Sequence, residues 1–400
     1  MNDAPALAPL PYHRQIRDYL KEREQELWNW FASARAKEDY AEALRLSLLK
    51  STYRLAATDH PELYSHVAAA CQGLQLDVPV TLYQAQVASA QANAAIYFLP
   101  HEAHIVLSGP ISTLLNSTEL TAVFGHELAH FFLWQAENED FLIADRILQA
   151  VGNDARAQPT HLETARRYRL YTEIFADRGA MHATKDLPAV VASLVKTSTG
   201  LTTVSGESYL AQTAEIFSKS AVKTAELSHP EAFIRAQALS LWATQTEEVD
   251  GMIAAIIAGK PSLDELDLAS QHEISRLSQR FLSQLLRPRW FRSEPVLAHA
   301  RLYFPDFSPA EAEDLTLIDA LKNTGTLLQD YFSYLLLDFV HIDRDLEDLP
   351  LAASLQWAEC LGVAPHFEKL AVKELGLKAR DLSKLKPRIA ELLTSAEKIT

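Results

Sequence analysis

The chain has 400 residues, of which 48% are hydrophobic and 22% are charged, and this composition is typical of a helix-rich globular protein with more than one packed unit. Its formal net charge of −15 argues against a nucleic-acid partner and against binding to an anionic membrane surface. No apolar stretch reaches the roughly 20 residues that span a bilayer. The N-terminus lacks the pattern of a secretory signal, and only two cysteines, Cys71 and Cys360, occur. We therefore expect a cytoplasmic protein with no membrane span and no disulfide framework.

In chain order, residues 1–58 predict a helical region, because apolar residues recur at intervals of three and four among charged ones. Strand-like runs follow at 79–83, 94–99 and 103–108, and their β-branched and aromatic content predicts a small sheet that ends in a hairpin. Beyond residue 115 the pattern is helical to the C-terminus. The expected fold is therefore mainly α with a small β-sheet.

Two long helices are predicted after the hairpin. Asn116 or Ser117 is the candidate N-cap of the first helix, with Glu119 in its first turn. The second helix contains YTEIFADRGA, and a third begins at SHPEAFIRAQALSLW. A shift in composition near residue 248 predicts a domain boundary. The expected domains are thus an N-terminal helical region (1–58), a central domain (59–248) and an all-helical C-terminal domain (249–400).

The stretch FGHELAHFF, residues 124–132, places two histidines four positions apart with a glutamate beside the first. Because a helix turns by about 100° per residue, His126 and His130 share one face and Glu127 lies at the edge of the same groove. A zinc hydrolase needs two neutral imidazoles on the metal and a carboxylate beside its water. The alternative is a pair of core histidines that are satisfied by hydrogen bonds.

A catalytic zinc also needs a third protein ligand. The downstream histidine that one group of zinc peptidases uses is excluded, since Leu133 and Ala136 occupy the relevant positions. Glu173 and Asp177 lie four residues apart on the second long helix. Glu173 can coordinate the metal, and Asp177 can accept a hydrogen bond from a ligand imidazole. The competing interpretation places both acids on a solvated helix face.

These motifs resemble a known family. GHELAH, TEIFADRGA and SHPEAFIRAQAL are similar to the three signatures of the CAAX prenyl protease and HtpX-type family of gluzincin metallopeptidases, over roughly residues 60–245. The resemblance implies a zincin-type core flanked by helical regions, one Zn²⁺ per chain, and a peptide or protein substrate. Members that cut prenylated or membrane proteins carry transmembrane helices, which this sequence lacks. The resemblance therefore predicts the chemistry and not the substrate.

The resemblance also implies a role for each matching residue. The implied zinc ligands are His126, His130 and Glu173. The implied general base is Glu127. It further implies that Asp177 supports a ligand histidine, that His229 hydrogen-bonds the oxyanion of the tetrahedral intermediate, and that Arg235 braces the acidic groups. The residues alone support the role of His229 weakly, because SHPE is also a good helix start.

The predicted function is that of a zinc metalloendopeptidase. Glu127 would take a proton from zinc-activated water and deliver it to the leaving amine. An extended substrate would add to a strand edge, either the strand at about 103–108 or the stretch 91–98. The alternatives are a non-catalytic interaction protein with a vestigial or structural zinc site, and a latent peptidase that its flanking helices hold shut.

The C-terminal region carries an acidic cluster, Asp338, Asp343, Asp345 and Glu347, without the spacing of an EF-hand. Its pattern faintly resembles the TerB-like domains of tellurite resistance, and a helical bundle with an acidic loop explains the pattern equally well. We expect substrate delivery, regulation or oligomerisation here, so that a regulatory protein partner or a homo-oligomer contact is a candidate for the helical regions.

Overall fold

The computed structural model describes residues 7–86, 91–220, 222–225, 229–244, 246, 248–259, 262–322 and 326–399, except for the side chains of 34–37, 326–327 and 399. Contacts divide the chain into two compact units, Met1–Lys260 and Pro261–Thr400. The helix Val249–Ala258, which follows the boundary predicted near residue 248, buries Ile253 and Ile257 in a core cluster of the first unit. The predicted division into three domains stays a prediction.

The first unit starts with three helices and a strand. These elements are α1 (Pro11–Arg23), α2 (Gln25–Ala32), α3 (Ala34–Ser51) and β1 (Thr52–Leu55). A helical region was predicted up to about residue 58, and this prediction was wrong beyond Ser51, where α3 ends. The next four residues pair antiparallel with the second strand of the sheet, where Thr52 lies opposite Ala85. A contact between segments distant in sequence overrides the local pattern here.

The sheet has the strand order β1-β2-β4-β3. Helix α4 (Pro61–Leu74) is followed by β2 (Val80–Ala85), β3 (Asn93–Leu99) and β4 (Glu102–Ser108). Strands β3 and β4 form the predicted antiparallel hairpin, while β2 and β4 run parallel. The strand at 103–108 therefore lies inside the sheet, paired on both sides, and cannot offer the free edge that was our first expectation. The second candidate, 91–98, contains the edge strand β3.

The remaining helices of the first unit include the two long helices that carry GHELAH and TEIFADRGA. They are α5 (Ile111–Leu114), α6 (Ser117–Gly152), α7 (Pro159–Thr184), α8 (Leu187–Thr199), α9 (Gly206–Lys219), α10 (Ala232–Ala243) and α11 (Val249–Ala258). Helix α6 begins with the predicted cap: the Asn116 side chain accepts from the Glu119 N–H, and the Glu119 carboxylate accepts from the Asn116 N–H. This reciprocal pair is a capping box.

Helix α6 is interrupted in its middle. Residues 136–139 leave helical geometry, and Glu137, Asn138 and Glu139 all have positive φ values, between 49° and 67°. The element therefore consists of a first segment, residues 117–135, and a second segment, residues 140–152. The change of direction places the second segment beside the cleft described below.

The described residues of the second unit form helices and 3₁₀ turns. Its helices are α12 (Leu268–Leu285), α13 (Glu294–Tyr303), α14 (Leu317–Lys322), α15 (Thr326–Leu337), α16 (Leu349–Cys360), α17 (Ala364–Glu374), α18 (Ala379–Leu385) and α19 (Ile389–Ile399). Short 3₁₀ turns occur at Leu263–Glu265, Arg289–Phe291, Arg344–Leu346 and Lys386–Arg388. The whole protein is thus mainly α with a small β-sheet, which confirms the predicted fold class.

The acidic cluster of the second unit has local structural roles. Asp343 caps the turn Arg344–Leu346 by accepting from the Asp345 N–H, and Asp338 accepts from the Tyr303 hydroxyl. Within the described ranges, no three metal-ligating side chains come together in this unit. In the same described part of the chain, no helix has both the length and the apolar character needed to cross a membrane.

Candidate metal centre and cleft

The first segment of α6 and helix α7 pack unusually close to each other, and small residues make this possible. A β-carbon on Gly179 would lie only 2.2 Å from the Ala129 Cβ, and one on Gly125 would lie 2.5 Å from the Ala183 Cβ. Any larger residue would push the helices apart. The close approach brings the two histidines of α6 to the acids of α7.

Three predicted ligands converge at this contact. The Nε2 atoms of His126 and His130 are 3.3 Å apart. The Glu173 carboxylate lies 3.4 Å from the first nitrogen and 3.7 Å from the second. Glu173 is 6% exposed. Its carboxylate is therefore not on a solvated face, and the competing interpretation of the second motif is rejected.

Asp177 and Arg235 form a buried pair behind His126. The Asp177 carboxylate lies 3.0 Å from His126 Nδ1 and accepts from Arg235 Nε at 2.8 Å. Asp177 is 1% exposed. Burial alone would raise its pKa, but Arg235 and His126 outweigh burial and lower the pKa below its usual value. A carboxylate held ionised on Nδ1 turns Nε2 of the ring toward the other ligands.

Glu127 is buried on the same groove. Burial raises the pKa of Glu127 to about 7, although His126 and a hydrogen bond from the Ile96 backbone lower it. Ile96 belongs to the edge strand β3, so the carboxylate stands between the ligand cluster and the free edge of the sheet. A carboxylate with a pKa near neutrality can both accept and release a proton.

His229 reaches the cluster from the segment before α10. Its Nε2 atom lies 3.5 Å from Glu173, and 62% of its side chain is exposed to the cleft and solvent. Ser228, the first residue of SHPE, lies outside the described residues. Helix α10 itself begins at Ala232 with Glu231 as its cap, so His229 does not act as the cap.

The donor set fits zinc. Three protein ligands at 2.0–2.2 Å from a tetrahedral Zn²⁺ lie roughly 3.3–3.6 Å apart, close to the distances between these atoms. Two imidazole nitrogens that face each other at 3.3 Å beside a carboxylate need a shared cation or proton between them. The Glu173 Oε2 atom is buried, and it lies 3.4 Å from His126 Nε2 and 3.7 Å from an Arg235 nitrogen, both longer than a good hydrogen bond. Nitrogen and carboxylate ligands of this kind suit Zn²⁺.

The cluster opens into a cleft with a volume of about 370 Å³. One end, which we call the apolar end, is lined by Ile111, Ala122, Val123, Ala180, Val190 and Leu194. The other, which we call the polar end, is lined by Trp134, Asp145, Gln149, Arg169 and Thr172. Along α7 the residues from Arg169 to Ala180 span about 16 Å at 1.5 Å per residue, so the two ends lie on opposite sides of the ligand cluster.

Sequence reasoning missed several residues of this site. Trp134 stacks on His130, with ring centroids 5.6 Å apart. Its position four residues after His130 places it on the same helix face, so spacing alone could have indicated it. Asp145 and Ile96 had no such signal, because the turn in α6 and the sheet edge bring them to the cleft.

This geometry, two histidines and a glutamate from neighbouring helices beside a buried general-base candidate, defines a site of the metallopeptidase class. Residues 58–243 match the sequence model of peptidase family M48, and this match supports an M48 metallopeptidase over that part of the chain. Peptidases of the family generally use zinc and act on peptides or proteins. No curated protein and no solved structure matches the chain. The narrower CAAX and HtpX-type resemblance and the TerB-like resemblance stay predictions.

Proposed function

We propose that the protein is a zinc-dependent endopeptidase of gluzincin type, with the motif HExxH on α6 and ExxxD on α7. The observation that carries this proposal is the convergence of His126, His130 and Glu173 beside Glu127 in one open cleft. The similarity to the CAAX and HtpX-type signatures supports it. The cytoplasmic location, and a regulatory partner or homo-oligomer contact through the helical regions, stay predictions.

In this proposal His126, His130 and Glu173 hold one Zn²⁺. When bound, zinc supplies a Lewis acid that polarises the substrate carbonyl and lowers the pKa of water toward about 7. Glu127 accepts the proton of the attacking water and then delivers it to the leaving amine. Burial raises the pKa of Glu127 above that of a solvated carboxylate, and this favours the return of the proton to the leaving amine.

Three further residues prepare the site. Asp177 fixes the orientation of His126, and Arg235 keeps Asp177 ionised. His229, exposed at the cleft, is positioned to donate a hydrogen bond to the carbonyl oxygen as negative charge develops on it. A donor that is in place before the charge appears contributes most to the rate.

The edge strand β3 is the proposed docking edge for an extended substrate. Asn93, Ala94, Ala95 and Ile96 line the cleft along this strand. A peptide that pairs with the free side of β3 passes beside Glu127 and the ligand cluster. The apolar end then accepts an aliphatic side chain next to the scissile bond, because burial of such a side chain is favourable.

The test compares cleavage and metal content in purified full-length variants. Glu127→Gln should keep zinc and lose about 10²- to 10⁴-fold in kcat/KM on an unstructured protein such as casein, because the proton acceptor is gone. His130→Ala should lose both zinc and cleavage. The matched controls are Glu215→Gln and His341→Ala, which change exposed residues that are not part of the cleft lining. Cleavage by Glu127→Gln at the wild-type rate would refute the proposed mechanism.

The same test separates the alternatives. A latent or non-catalytic protein would bind zinc through the same ligands, and its full-length form would show no cleavage that depends on Glu127. Zinc content without such cleavage therefore favours those alternatives over an active endopeptidase.

A further inference from the structure

The polar end of the cleft contains a carboxylate that the proposed chemistry does not use. Asp145 lies on the second segment of α6 and lines the same cleft as the ligand cluster. It accepts one hydrogen bond, from Gln149 Nε2 at 2.7 Å. Among the described residues, no lysine or arginine nitrogen lies within ion-pair distance of Asp145. A half-buried carboxylate with a single amide partner is an incompletely satisfied group.

The charged groups that face Asp145 do not neutralise it. Arg169 of α7 and Arg146 of the second α6 segment act on it only at longer range, and Arg146 instead lies over the ring of Tyr40 at 4.0 Å. Burial raises the pKa of Asp145 to about 6, against the lowering effect of Arg169, Arg146 and Gln149. The carboxylate is therefore ionised at neutral pH while it still lacks a close cationic partner.

We propose that Asp145 is a specificity residue that binds a basic side chain, lysine or arginine, of the peptide substrate. The inference rests on the proposed endopeptidase function and names a class of substrate for it. A substrate cation would supply the missing ion-pair partner in a partly desolvated cleft, where charge-assisted hydrogen bonds are strongest. The indole of Trp134 lines the same end and offers an aromatic face for the stem of such a side chain.

The direction of the sheet edge predicts on which side of the scissile bond the basic residue lies. Strand β3 runs alongside α6 in the same direction, because Ile96 contacts Glu127 while Phe98 packs on Phe131 at 4.8 Å. Antiparallel pairing is the more common arrangement of strands. An antiparallel substrate would have its N-terminal part at the polar end. The basic residue therefore lies on the N-terminal side of the scissile bond, and an apolar residue lies on the C-terminal side.

Arg169 is the internal check on this inference. It is exposed and lines the polar end, and it carries the same charge as the proposed substrate residue. If Asp145 binds a cation, Arg169 opposes that binding by electrostatic repulsion. Arg169→Gln should therefore increase the preference for a basic peptide, whereas Asp145→Asn should remove it.

The experiment measures binding apart from turnover. Fluorescein-labelled decapeptides that carry Lys or Gln at one of the three positions before an Ala-Leu bond are titrated against the zinc-loaded Glu127→Gln protein. Fluorescence anisotropy gives a Kd for each peptide. At one position the Lys peptide should bind about tenfold more tightly than its Gln counterpart, and this ratio should fall to about one when Asp145→Asn is added. Asp154→Asn, which changes an exposed acid just beyond the same segment, should keep the ratio.

Each result decides between the two proposals. Equal affinities for the Lys and Gln peptides at every position, or a ratio that Asp145→Asn leaves intact, would overturn the inference, whether or not the wild type cleaves peptides. A missing Glu127-dependent cleavage by the wild type refutes the proposed function instead. Thermal melting of Asp145→Asn close to that of the wild type verifies that a lost ratio does not arise from unfolding.

Discussion

Helices α6 and α7 contact two kinds of histidine: the single residue His13, and the pair His126 and His130. The ring nitrogens of the two kinds have opposite hydrogen-bonding arrangements. His13 of α1 is fully buried, and both of its ring nitrogens have partners: Nδ1 accepts from the Leu10 N–H at 3.2 Å, and Nε2 lies 3.2 Å from the Thr172 hydroxyl. Burial lowers the pKa of His13 to about 3, so the ring is neutral. Nε2 then carries the proton and donates it to Thr172.

The second kind is the pair His126 and His130. Their Nε2 atoms point at each other and at Glu173, and no neutral donor lies between them. The difference teaches how to distinguish a core histidine from a ligand. A core histidine has a fixed donor and a fixed acceptor, whereas ligand histidines leave their lone pairs directed at one shared point. Thr172 and Glu173 are adjacent in sequence, so the two arrangements occur within one turn of α7.

The first prediction tests how the pair His126 and His130 is held in place. Asp177→Ala should lower zinc affinity by about 10- to 100-fold, because His126 loses the carboxylate that orients its ring. Competition with a fluorescent zinc chelator measures this affinity. Asp250→Ala is the matched control. Asp250 also pairs with an arginine, Arg178 of α7, but its side chain is 46% exposed. Unchanged zinc affinity in Asp177→Ala would show that Asp177 does not support the ligand.

An effect of similar size, on folding rather than on zinc binding, is expected at His13. His13→Gln should lower the free energy of unfolding by about 1–3 kcal/mol, because the buried polar chain from Leu10 through Thr172 is no longer fully satisfied. The zinc content should not change. Urea unfolding and metal analysis of the same samples check both points. A loss of zinc in this variant would contradict the assignment of His13 to the core.

The low pKa of His13 also predicts how the free energy of unfolding depends on pH. The folded-state pKa of His13 lies near 3 and the unfolded value near 6.5, so the unfolded chain binds more protons between these two pH values. The stabilisation is therefore present above pH 6.5 and is lost as the pH falls below it. Between pH 7 and pH 5 this residue should account for about 2 kcal/mol of lost stability. The difference in the free energy of unfolding between wild type and His13→Gln should be smaller by that amount at pH 5 than at pH 7. A difference that does not change with pH would contradict the low pKa of His13.

Much of the site could be predicted from local spacing. The helix periodicity that puts His126 with His130, and Glu173 with Asp177, is a property of neighbouring residues and does not depend on the rest of the fold. The capping pair of Asn116 and Glu119 is equally local. The hairpin of β3 and β4 is a contact between adjacent segments, and it too was predictable.

Other parts of the molecule depend on distant contacts. Strand β1 continues an amphipathic pattern and becomes a strand only by pairing with β2. The turn in α6 uses Glu137, Asn138 and Glu139 at positive φ values, without the glycine or proline that normally announces such a turn. The polar end of the cleft exists only because of that turn, and so the position of Asp145 could not be predicted from the sequence.

The most direct test of the account is zinc stoichiometry in the full-length protein. Elemental analysis after equilibration with Zn²⁺ and removal of loosely bound metal should give one zinc per chain for the wild type and for His13→Gln. His126→Ala should give close to none. A wild type that retains no zinc, or a His126→Ala protein that retains one zinc per chain, would contradict the assignment of His126, His130 and Glu173 as the metal site.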